Sequence, residues 1–152
     1  MGIPNFDVED QVSDKQVFTV AAVSTDSIDK GSAAADISIG GRKAFAVYVD
    51  SVPAGTVTAT SYQIEAIEAT NGILTTGIKT VGSATFTPAE MTKGALLEVP
   101  INQGSLGSGQ YLGIRVTPTG GTAPTVTLSA YLKLQEEITK YKAFPKVNQA
   151  VF

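Results

Sequence analysis

Cysteine, histidine and tryptophan are absent from this chain of 152 residues. Without cysteine there is neither a disulfide nor a thiolate nucleophile. Without histidine the chain lacks the commonest transition-metal ligand and the commonest general base. Together these absences argue against a metalloenzyme and against a triad hydrolase, so no catalytic residue, cofactor or metal ligand is expected. Charge is scarce as well: Asp, Glu, Lys and Arg make up 16% of the chain against 43% hydrophobic residues. That balance opposes disorder. The net charge of −3 provides no global attraction to nucleic acid. No apolar run approaches the roughly 20 residues that span a bilayer, so no membrane partner is expected. The opening MGIPNFDVEDQVSD is acidic where a signal peptide would be basic and then apolar. A product made and used in the cytoplasm, without export, is the expectation.

What is present is Thr, Val, Ser and Gly in abundance. The length suits one domain, and a domain of this size buries about 70% of the surface its unfolded chain exposes. The composition points to an all-β body with many turns. The clearest pattern lies between Gly109 and Leu134. Leu112, Ile114 and Val116 alternate with Tyr111, Gly113, Arg115 and Thr117; Val126, Leu128, Ala130, Leu132 and Leu134 alternate with Thr127, Ser129, Tyr131 and Lys133. Alternation of period two puts one set on each face of a sheet. The intervening Pro118, Gly120, Gly121 and Pro124 favour a turn, so the pair reads as a β-hairpin whose apolar face needs a second sheet to cover it.

The other strands follow from the same rule. Lys15 to Ser24 has two apolar faces and reads as a first strand, buried on both sides or lying at a subunit contact. In RKAFAVYVDSV, Phe45, Val47 and Val49 oppose Ala44, Ala46 and Tyr48, as in a central strand. Thr56 to Thr70 puts Tyr62, Ile64 and Ala66 on one side. Glu65 and Glu68 fall on opposite faces, a poor acid/base pair, and are expected to be solvated edge carboxylates. Asn71-Gly72 is a strong hairpin signal. Ala95 to Ile101 contains Pro100, which favours an edge position. Thr87-Pro88-Ala89-Glu90 carries a capping box and predicts a short helix ending at Gly94. Asp26, Asp29 and Asp36 lack the spacing of a calcium loop. Gly104, Gly107 and Gly109 lack the Lys-Ser/Thr and the following helix of a phosphate loop, so NQGSLGSGQ is expected to be a flexible connection.

The ends differ in kind. Residues 1–14 carry four acidic and no basic side chains; residues 138–152 carry three lysines and no acidic one. Lys140, Lys142 and Lys146 interleave with aromatics, a weak match to single-stranded nucleic-acid binding; the bland alternative, a tail packed on another surface, is preferred. The organisation expected is an arm over 1–14, a sandwich over 15–135 and a second arm over 136–152. Exposed charge pairs supply only about 0–1 kcal/mol each, so apolar residues of the arms must supply any grip. Phe6 and Val8 in the first arm and Tyr141, Phe144 and Phe152 in the last are the candidate partner contacts.

About eight strands spaced 8 to 14 residues apart suit an antiparallel β-sandwich of jelly-roll type. The order of segments resembles the jelly-roll capsid cement (decoration) proteins of tailed double-stranded DNA bacteriophages. The resemblance runs through VSDKQVFTVAAVSTDSIDKG, RKAFAVYVDSV and ALLEVPI. It is clearest in QYLGIRVTPTGGTAPTVTLSAYLKL, and covers about residues 12 to 135; the C-terminal tail departs from it. It implies a non-enzymatic protein of the virion, made in the host cytoplasm. Such a protein sits on the outer surface of the head and bridges major capsid protein subunits against the pressure of packaged DNA. A homo-oligomer, dimer or trimer, is then the expected form. The competing class is a non-catalytic binding module, a carbohydrate-binding sandwich or a phage fibre or tail domain. Tyr48, Tyr111 and Tyr131 would have to form its outer-face cluster.

Overall fold

The computed structural model describes residues 10–37, 41–52, 59–120 and 125–143, apart from the side chains of Tyr141 and Ala143. The strands are β1 (Gln11–Phe18), β2 (Ala22–Val23), β3 (Ile28–Asp29), β4 (Lys43–Ser51), β5 (Ser61–Ala69), β6 (Lys79–Phe86), β7 (Leu96–Pro100), β8 (Tyr111–Thr119) and β9 (Val126–Leu134). A helix, α1 (Gln135–Ala143), follows directly. One sheet has the order β1-β9-β4-β7; the other has β2-β8-β5-β6, with β3 also paired to β8. All pairings are antiparallel. This is the strand order of a jelly roll: the chain passes repeatedly from one layer to the other, and the fold is the all-β sandwich expected from the sequence.

Alternation fixes the core. Phe45, Val47 and Val49 of β4, Leu128, Ala130 and Leu132 of β9, Tyr62, Ile64 and Ala66 of β5, and Leu112, Ile114 and Val116 of β8 form one buried cluster between the layers. The opposite face of β4 is not left to solvent. Ala44 and Ala46 pack with Tyr131 beneath Ile138 of α1, which is fully buried. Gln135 ties the start of this helix to the sheet, donating its backbone N–H to Arg42 O at 2.9 Å and its side-chain amide to Glu98 at 2.8 Å.

Four expectations about the fold need correction. The run from Gly109 to Leu134 is not a hairpin: β8 and β9 lie in different sheets. Alternation is the same whether two runs pair with each other or with other strands, so it cannot tell a hairpin from a corner. The short helix is not at Thr87–Gly94. The capping groups do meet, with Glu90 accepting the backbone N–H of Thr87 at 3.2 Å, but only a turn forms. About two turns are too short to offset helix nucleation, and Met91 is buried in the core while Gly94 donates to Val49 O at 2.8 Å. Part of the expected C-terminal arm is instead helical, as α1, and packs on its own sheet. Strand β1 also starts earlier than read, and it is an edge strand whose Val17 is exposed, not a strand buried on both faces.

The backbones of the two layers come close where β6 meets β7. A Cβ on Gly82 would lie 1.9 Å from Pro100 O, a backbone atom that cannot swing aside. Gly82→Ala should therefore lose about 1–3 kcal/mol in urea denaturation. Gly104→Ala, where the nearest atom is a side-chain oxygen at 3.5 Å, should lose far less.

Candidate contact surface

One end of the sandwich gathers the β3–β4, β5–β6 and β7–β8 connections, and a pair of opposite charges sits between them. Lys30 Nζ lies 2.6 Å from Glu68 Oε2, and both side chains are 0% exposed. Lys30 follows β3; Glu68 is on β5 and has the parity of Tyr62, Ile64 and Ala66, so its side chain points into the sandwich. A buried carboxylate is tolerated only when its lone pairs are used. Here Gly107 N donates at 3.0 Å, Ser108 N at 3.2 Å and Ser108 Oγ at 3.1 Å. Lys30 Nζ also donates to Ala33 O at 3.0 Å. Burial alone would push the Glu68 pKa up; Lys30 and the two backbone N–H groups outweigh it and hold the carboxyl below its ordinary value of 4.5.

The neighbouring contacts extend this junction. Asp29 Oδ1 accepts the Gln110 amide and the Gly31 N–H, both at 2.8 Å, which lower its pKa. Lys79 Nζ donates to Ser105 O at 2.8 Å. Residues 102–110, expected to be a flexible connection, are thus pinned to β3, β5 and β6, with Asn102 capping a short 3-10 turn over Gln103–Ser105. Glu65 and Glu68 are buried and ion-paired, not solvated edge carboxylates. Glu65 takes a two-pronged contact from Arg115, both bonds at 3.0 Å, and the Thr80 hydroxyl at 2.6 Å. The Arg115 bonds are the main reason its pKa is lowered.

The β5–β6 connection is a structured loop of nine residues, 70–78, not a two-residue turn. Asn71 Oδ1 accepts the N–H groups of Thr75 at 2.9 Å and Thr76 at 3.1 Å, while its amide donates to Thr75 Oγ1 at 2.8 Å. Thr70 N–H and hydroxyl both reach Thr76 O, and Ser27 Oγ holds Gly72 O at 2.8 Å. Leu74 has φ +59, costly for a branched side chain. The strain of roughly 1–3 kcal/mol is offset by burial of the whole side chain, roughly 1.5–3 kcal/mol. Leu74 is 0% exposed and packs with Ile67, Ala69, Val23 and Tyr111 on the outer face of the second sheet. The hole it enters exists because residue 113 is glycine: a Cβ there would lie 2.3 Å from Leu74 Cδ1.

The outer face of the first sheet carries a second polar group. Ser129 Oγ donates to Asp50 at 2.6 Å and accepts the N–H of Lys15 at 3.0 Å. Lys15 sits at a β-bulge with φ +47. Burial raises the Asp50 pKa, and Asp14 adds to the effect.

Of the candidate contacts, Phe6, Val8, Phe144 and Phe152 lie outside the described residues; Tyr141 lies in α1 with its side chain outside the description. The tyrosine cluster does not form. Tyr48 and Tyr131 belong to the first sheet, facing Ser129 and Ala46 across strand pairs, whereas Tyr111 belongs to the second. No group of acidic or other ligating side chains among the described residues could hold a metal ion, and no helix among them is long and apolar enough to cross a membrane. The family model described as Bbp16 matches residues 12–132, the whole sandwich apart from its outermost residues. No curated protein matches the chain.

Two outcomes follow from the buried pair. Lys30→Met leaves Glu68 charged and unpaired, and should cost about 3 kcal/mol; Lys30→Met/Glu68→Leu should recover most of it in the same urea titration, because apolar replacement of both partners removes the desolvation cost. The pH dependence has a fixed sign. A carboxyl whose folded pKa is depressed contributes stability fully above its unfolded value, and loses it as pH falls through the folded value. Wild type should therefore lose stability as pH falls below 4.5, with a shallower acid limb in the double variant, read as thermal midpoint against pH.

Proposed function

The chain belongs to the Bbp16 family, and we propose that it is a capsid cement protein. It attaches to the outside of a bacteriophage head, bridges major capsid protein subunits and stabilises the shell without catalysis. The observation that carries this reading is the loop end built around Lys30 and Glu68. The described residues of three connections are already tied together there, so docking costs little further conformational entropy. A clamp on a pressurised shell asks for such a body. The jelly-roll order of the strands and the resemblance of residues 12 to 135 to phage cement proteins support the same reading. The shell offers two-fold and three-fold positions, so a dimer or trimer seated on an axis is part of the proposal.

A glycan-binding sandwich would display an aromatic platform, and the separation of Tyr111 from Tyr48 and Tyr131 on two sheets removes the one the sequence offered. The arms keep the role assigned from sequence, with both boundaries changed. Asp10 pairs with Lys133, Val12 of β1 is buried in the core and Ile138 is part of the packed body, so the candidate arms are 1–9 and 144–152.

The test is co-sedimentation of the purified chain with heads that lack it. Saturable binding at a fixed ratio to the major capsid protein, with no binding to unassembled subunits, is the expected result; absence of the chain from the pelleted heads would sink the proposal. Removal of residues 144–152, or Phe144→Ala, should lower occupancy at sub-saturating concentration while the thermal midpoint stays unchanged.

A further inference from the structure

We propose that the β5–β6 loop, residues 70–78, is a prefolded apolar knob that seats Ile73 in an apolar socket on a shell subunit, with Ile78 at its base. The proposal rests on the capsid reading above and adds the contact that the arms do not explain. Ile73 is 68% exposed and Ile78 37% exposed. Single exposed apolar residues are ordinary on mobile surfaces. Here the backbone beneath Ile73 is held by the Asn71 side chain, by Ser27 on Gly72 O, and by Leu74 anchored at φ +59 over Gly113. Neighbouring side chains point in opposite senses: Leu74 locks the loop down and Ile73 is presented outward. A rigid anchor residue loses little entropy when it enters a pocket, which is where interface affinity concentrates.

The chemistry of the tip selects the kind of partner. Ala69 to Ile78, ATNGILTTGI, contains no charged residue and no aromatic one. Nucleic acid would ask for Lys or Arg, a glycan for a ring to stack on, and an anionic membrane surface for basic or aromatic anchors. An uncharged tip that exposes Ile73 and Ile78 among threonines and glycines fits the charge-depleted core of a protein interface. A second copy of this chain is the competing host: one recess among the described residues has Arg42 and Glu136 in its lining, and another sets Asp36 beside Ala34, Ala35 and Leu106. The self-association arm of the experiment separates that host from a shell subunit.

The experiment measures binding of the full chain to shells assembled from the major capsid protein and lacking this chain, as occupancy against concentration. Ile73→Ser should weaken binding about tenfold or more, the effect of losing one buried branched side chain, with an unchanged thermal midpoint. Val20, equally exposed at 68% but in the β1–β2 connection, provides the control: Val20→Ser should bind as wild type. Wild-type binding with Ile73→Ser unaffected overturns the knob and leaves the capsid reading standing. Equal losses in both variants also overturn it, because the effect then belongs to general surface hydrophobicity. No wild-type binding removes the capsid reading and the knob with it. Concentration-dependent self-association of the free chain that Ile73→Ser abolishes assigns the tip to a second copy and overturns the shell socket.

Discussion

The structure depends on one solvent-excluded attraction, the 2.6 Å contact between Lys30 and Glu68. A jelly roll leaves long connections at its ends, because successive strands mostly belong to opposite layers. Such connections have few apolar residues to bury and stay mobile unless something ties them. Here a carboxylate at the end of β5 draws in a lysine from the β3–β4 connection and two backbone N–H groups from the β7–β8 connection. Charge-assisted bonds of this kind are stronger than neutral ones and far more directional than apolar contact. Well-packed apolar side chains could match the pair in stability. They could not specify which backbone atoms meet.

The sandwich itself was legible from alternation. Phe45, Val47 and Val49 against Ala44 and Ala46 gave the two faces of β4 correctly, and Pro100 marked β7 as an edge strand. Pairing was not legible, because period two carries the face of a residue and not the identity of its neighbour. Only the β5–β6 connection, of those between strands adjacent in sequence, joins hydrogen-bonded partners. The run from Gly109 to Leu134 has equal signals and turns a corner.

The loop end was hidden for a different reason. Residue type makes Glu68 a charge that belongs in water, although its parity with Tyr62, Ile64 and Ala66 puts it on the core side. Its partner lies 38 positions away, and no local pattern joins the two. Helix α1 does have a signal in the sequence. Glu136 and Glu137 open the segment and Lys140 and Lys142 close it, the charge order a helix dipole favours, and Glu136 meets Lys140 one turn on at 3.2 Å. The exposed pair adds little energy. Ile138, buried against Ala44, Ala46 and Tyr131, holds the helix in place.

Leu74 shows how the two kinds of order combine. Its backbone conformation is unfavourable for a branched residue, and nothing in the local sequence ATNGILTTGI compels it. Gly113, on another strand, opens the hole that makes the conformation worthwhile. From a third segment, Ser24 borders the hole and Ser27 holds the loop's Gly72. Remove any one of these and the loop loses its reason to stand where it does. The outward position of Ile73 is thus a consequence of long-range packing and not of its own sequence neighbourhood. A surface built in this way is as rigid as the core that supports it. A loop so constrained presents one shape to whatever approaches.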